Sequence, residues 1–203
     1  MIAHDTTTPV TALYYTLEIK PHHLEKEQVL VRSNSERAFI IATLQDIFEG
    51  RLPEDSCRAH KLLSVHVDLL GFSITRESAR LVIFALSIVD VRNLGALIIN
   101  RLSAFQAELY ENMTPTRFSM HVADIPGGHS ALEETLALHA RHKDWESDRY
   151  SSIGFFLSDR RGAWMRTWRI SRLYENSPER YEALLVNYLK RVNARRATSS
   201  RVL

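Results

Sequence analysis

Between residues 160 and 172 the sequence reads RRGAWMRTWRISR, which sets Arg160, Arg161, Arg166, Arg169 and Arg172 around Trp164 and Trp168. Guanidinium groups pair with phosphates and indole rings stack on bases, so this composition suits a strand of nucleic acid. The simpler alternative is a solvated helix whose two tryptophans pack on the domain. Further on, no acidic residue follows Glu182, while Lys190, Arg191, Arg195, Arg196 and Arg201 do. The net charge of +2 does not by itself demand a polyanionic partner, so the uneven distribution is the informative signal.

Other chemistry is poorly represented. Cys57 is the one cysteine of the 203 residues, which excludes an internal disulfide and a thiolate zinc site. The nine histidines show no ligand spacing, and neither a metal nor a cofactor is expected. No run approaches the roughly 18–20 apolar residues that span a bilayer. The start, MIAHDTTTPV, lacks the basic-then-apolar order of a signal peptide, so the expected location is the cytoplasm, with no membrane partner.

The elements that would position these residues can be read from periodicity. A strand is expected over Thr11–Ile19, then the polar loop KPHHLEKEQ and a helix capped by Asn34 or Ser35 and ended by Gly50. Alternation over Ser64–Ile74 predicts a second strand, the turn TRES leads to a third over Ala79–Leu86, and Asp90 caps a long helix with Leu94, Ile98, Leu102, Phe105 and Leu109 on its buried stripe. RFSMHVA predicts a fourth strand, and Ser130 with Glu133 a capping box for a helix to about His142. A last helix starts at Ser177 and Pro178 with Tyr181, Leu184, Leu185, Tyr188 and Leu189 facing inward. This order implies an α+β, ferredoxin-like βαββαβ antiparallel sheet with its helices on one face. It occupies residues 1–145, and 146–203 form a small C-terminal helical extension with a basic tail.

In that order, several segments resemble the REP-associated tyrosine transposases, a domesticated branch of the single-tyrosine insertion-sequence enzymes. GFSITRESARLVI resembles the family's strand, turn and histidine strand; LGALIINRLSAFQAELY its tyrosine helix; RFSMHVAD the strand after it. DRYSSIGFFL resembles a Trp-Ser-Ser-Tyr stretch at Tyr150, Ser151 and Ser152, and MRTWRISRLYENSPERYEALLVNYL the C-terminal tail. The resemblance spans about Leu13 to Leu189. It implies single-stranded DNA beside hairpins as the ligand, and a homodimer.

In the family, two histidines one residue apart on a strand share a face and hold a divalent metal, and a helix-borne tyrosine attacks the polarised phosphate. Here the matching positions hold Ser78, Arg80 and Phe105. A serine hydroxyl is a poor ligand, arginine offers no lone pair, and phenylalanine has no nucleophilic oxygen. Shifting the histidine pair to His66-Val67-Asp68 leaves too long a passage to the helix, and Tyr110 lies about 140° around the helix from Phe105. The resemblance therefore implies a protein that binds without cutting and acts in gene regulation. Its expected contacts are Arg76, Arg80, Arg101, Arg149 and the segment Arg160, Arg161, Trp164, Arg166, Trp168 and Arg169. A DNA hairpin or single strand is expected ahead of RNA. The alternative is a protein-interaction or dimerisation module on the same scaffold.

Overall fold

The computed structural model describes residues 13–22, 29–111, 116–142, 149–158 and 162–199, with side chains as far as 195. Thr11, Arg160, Arg161 and Arg201 lie outside the described residues. Four strands run in the order β1 (Tyr14–Pro21), β2 (Val67–Ile74), β3 (Ala79–Ala85) and β4 (Phe118–Ile125). Between them lie α1 (Asn34–Phe48), the single turns α2 (Arg58–Lys61) and α3 (Leu63–His66), and α4 (Ile88–Leu109). After β4 come α5 (Gly128–His139), the short α6 (Gly154–Leu157) and α7 (Trp168–Ser171), a 3₁₀ turn, and α8 (Pro178–Ser199).

The sheet order is β2-β3-β1-β4 and every pairing is antiparallel. The fold is α+β and compatible with a ferredoxin-like βαββαβ arrangement. Register assigns the faces. Tyr15, Leu17 and Ile19 pair with Ile83, Leu81 and Ala79, and a Cβ on Gly95 of α4 would meet Leu17 and Met120, so these residues face α4. α1 packs against α4, as a βαββαβ unit requires. The opposite parity, Tyr14, Glu18, Arg80, Val82 and Phe84, faces the other way. There α5 packs across β1, β2 and β3, with Gly71 lying so close that its Cβ would come within 3.0 Å of Thr135. Seven of eight residues in β2 and six of seven in β3 are therefore buried, and the two strands are covered on both sides.

Local chemistry moves several boundaries. α1 is capped by Ser33, one residue before Asn34: its Oγ accepts from Glu36 N, and Glu36 returns a bond to Ser33 N, which completes a capping box. Ser87, three residues before Asp90, caps α4 by accepting from Val89 N. α5 begins at Gly128, which puts Ser130 inside the helix rather than at its cap. Residues 64–66 form a helical turn instead of strand, because Leu63 turns inward and is buried.

The outer edge of β2 is closed by the chain itself. Ile74 N donates to Tyr150 O at 2.9 Å, Ser73 bridges to Ser151, and Ser152 N donates to Phe72 O at 2.9 Å. Arg166 N donates to Leu69 O beyond them. Unpaired edge amides invite other strands, so this cover protects the sheet. Behind it, Ser152 Oγ meets His139 Nε2 at 2.8 Å and Tyr181 OH meets His139 Nδ1 at 2.7 Å, all three residues fully buried. Ser152 Oγ also donates to Phe72 O, so every group is satisfied when His139 donates from Nε2 and accepts at Nδ1 from Tyr181. This network ties α5, α8 and the edge segment together.

Candidate nucleic-acid interface

The β2–β3 turn is the tight polar turn that its sequence predicts. Thr75 N donates to Ser78 O at 2.9 Å, and Ser78 N donates to Thr75 Oγ1 at 3.2 Å. Two further sets of bonds fix the hairpin end in space. The carbonyl of Arg76 accepts from Leu30 N and Val31 N, joining the turn to the lead-in of α1. That lead-in is held in turn by Gln106 of α4, whose Nε2 donates to Leu30 O and to Glu36 Oε1. From the other side the end of α5 reaches over: Arg141 Nη2 donates to Ser78 Oγ at 2.9 Å, and His142 Nε2 lies 2.6 Å from Ser73 Oγ.

This brings Ser78 and Arg80 together with Arg141. Arg80 Nε donates to Glu18 Oε1 at 2.7 Å, directly across the β1–β3 register, and Lys20 Nζ lies 3.9 Å from the same carboxylate. Burial acts to raise the Glu18 carboxyl, but the Arg80 hydrogen bond and charge, with Lys20 and Arg141, outweigh it and hold it below the ordinary carboxylate range. For Arg141, burial and then the positive charge of Arg80 lower the guanidinium below its usual range, while Glu18 and Glu77 oppose them. It stays charged at neutral pH. Beside this cluster Arg76 is exposed, and Arg37 and Arg149 place guanidiniums 5.1 Å and 5.3 Å from the Tyr150 ring centroid. Lys20, Arg37, Arg76, Arg80, Arg141 and Arg149 thus outnumber the carboxylates Glu18, Glu36 and Glu77 at this end.

No protein-family model matches the chain, and no curated protein matches it.

The other expected contacts fall in two separate places. Phe105 stacks on Phe39 of α1, ring centroids 4.0 Å apart and 5° from parallel, and Arg101 lies 3.8 Å from Asp46. Both belong to the α4 side of the sheet, whereas Arg80 points to the opposite face, so within one chain Phe105 does not meet Ser78 and Arg80. Of the tryptophans, Trp164 is 6% exposed, stacked on Phe72 with its ring crossed by Phe155. That corrects its assignment as a base-stacking residue, since a buried ring has no free face. Trp168 is 51% exposed. Arg169 lies between its ring, at 4.5 Å, and that of Phe84, at 3.5 Å, and donates to Asp68 Oδ2 at 2.5 Å. Arg166 Nε is 4.0 Å from the same aspartate, so two guanidiniums share one carboxylate.

The shifted metal site is not assembled either. His66 Nδ1 lies 3.5 Å from Asp90 while Asp68 binds Arg169, and among the described residues no three His, Cys, Asp or Glu side chains gather as a metal site would. Among the described residues no helix is long and apolar enough to cross a membrane. Arg141 and His142 were not legible as site residues: they follow a helix whose docking on β2 and β3 is a tertiary event. Their signal was the basic run ARHK at the end of that helix.

Proposed function

We propose that this chain is a transposase-like scaffold that binds hairpin or single-stranded DNA and does not cleave it, acting in gene regulation. The observation that carries this reading is the Ser78–Arg80–Arg141 cluster. Arg80, Arg141 and Lys20 around the carboxylates Glu18 and Glu77, with the Ser78 hydroxyl between the elements that hold them, leave a net positive charge at the place where the resemblance puts a metal. A phosphate is attracted by such a site. It is not activated, because neither Ser78 nor Arg80 can hold a divalent ion and Phe105 cannot attack.

The rigid turn favours binding further. Because Glu18 holds the Arg80 guanidinium and Ser78 holds that of Arg141, little freedom of these two side chains is lost when a strand docks. Gel-shift titration with a tailed hairpin, a single strand and a duplex tests the reading. Binding that weakens as salt rises is the expected result. No binding to any of the three at low salt refutes it.

A second reading has one observation in its favour. Val65, Leu86 and Val89 are 74%, 66% and 57% exposed at the opposite end of the β2–β3 pair, where Val67 pairs with Ala85. Such a patch suits a homodimer or a protein partner. Sedimentation of the wild type against Leu86→Lys separates dimer from monomer.

A further inference from the structure

We propose that the cavity between α6, α7 and the start of α8 takes one unstacked base of a nucleic-acid strand. The inference rests on the nucleic-acid reading above, and adds a second site to it. The cavity measures about 260 Å³. That is below the about 300 Å³ at which pockets for drug-sized ligands begin, so it suits one planar group rather than a whole cofactor.

Its walls are the kind a base uses. The half-buried Phe155 supplies aromatic surface over a floor formed by the buried Phe156 and Tyr174, and Trp168 stands at the rim with half of its area in solvent. The guanidinium of Arg169 braces the indole at 4.5 Å, and Asp68 holds that guanidinium, so the exposed ring is pre-positioned.

The polar edge is supplied by Asn176. Ser171 Oγ donates to Asn176 Oδ1 at 2.5 Å, which fixes the amide and directs its NH₂ donors elsewhere. Ring nitrogens and carbonyls on base edges are acceptors for such donors. Glu175 and Asn176 both adopt left-handed backbone, at φ 56° and 55°. Asparagine tolerates that region and glutamate does not favour it, so the turn is held against local preference by the bonds Asn176 N to Ser171 O and Ser177 N to Tyr174 O. The strained turn thus stands in the wall of the cavity, through Asn176. Arg172, exposed beside the cavity, and Arg166, which shares Asp68, place cations where a flanking phosphate would run.

The test is an abasic scan on a single-stranded oligonucleotide bound by the intact chain. In the wild type, one abasic position is expected to weaken binding about tenfold, the scale of a single base–aromatic stack. In Trp168→Ala the same substitution should have no further effect. Asn176→Gly relieves the left-handed strain while removing the amide, so a weakened base preference in a variant at least as heat-stable as the wild type supports a ligand contact over a folding role. Binding that is insensitive both to every abasic position and to Trp168→Ala overturns the base pocket while leaving the phosphate-binding reading intact. Protection of Trp168 from quenching by an aromatic peptide but by no nucleotide also overturns it. Absence of binding to any strand overturns both.

Discussion

Arg80 and Glu18 face each other across the β1–β3 register and are joined by a 2.7 Å hydrogen bond. The pair decides how much of the hairpin-end charge is available. Glu18→Gln keeps an acceptor for Arg80 but removes the negative charge. Its expected effect is tighter binding to single-stranded DNA, because the carboxylate no longer offsets the guanidinium that meets the phosphate. Binding titrations at several salt concentrations measure it.

The same pair sets an acid limit on stability. The folded Glu18 carboxyl titrates below its ordinary value, so the contribution is fully present above about pH 4.5 and is lost as pH falls through the folded value. Urea midpoints of the wild type should drop more steeply over this acid range than those of Glu18→Gln.

A second pH dependence comes from His139. Burial, then the charge of His142, lower its pKa to about 3 from 6.5. Between those values the unfolded chain binds a proton that the folded chain refuses, so stability falls as pH drops from 6.5 toward 3. The slope for one proton is about 1.4 kcal/mol per pH unit. Denaturation at pH 6 and pH 5 should show it in the wild type and lose it in His139→Gln.

Tyr181→Phe removes the donor to His139 Nδ1 and leaves that nitrogen buried without a partner. The expected loss is about 1–3 kcal/mol. Chemical denaturation measures it, and an unchanged midpoint would contradict the donor and acceptor roles assigned to the network.

The two tryptophans should separate cleanly. Trp164→Ala empties a packed site against Phe72 and Phe155 and should cost about 3–5 kcal/mol. Trp168→Ala removes an exposed ring and should leave the melting temperature nearly unchanged. Thermal melts of both variants decide this.

What the sequence shows and what it hides follow from range. Strand alternation in Val67–Ile74 and the helical stripe Leu94, Ile98 and Leu102 are local signals, and both elements are present, although Phe105 is half-buried and Leu109, expected on the same stripe, is exposed. The cap of α1 lies one residue before Asn34: Ser33, Asn34 and Ser35 are all competent, and only the bond from Ser33 N to Glu36 selects Ser33. Trp164 and Trp168 have the same composition around them. Which one is buried depends on Phe72, a residue roughly ninety positions earlier, and no local pattern carries that. Arg141 reaches Ser78 only once α5 lies on the sheet, so half of the cationic cluster was invisible in sequence.

The most direct measurement is the salt dependence of single-strand binding by the wild type and by Arg80→Ala/Arg141→Ala. Loss of two phosphate contacts should lower the slope of log K against log salt by about 1.4 and weaken binding at every sequence alike. Equal slopes for the two proteins, or no binding by the wild type at low salt, would contradict the account.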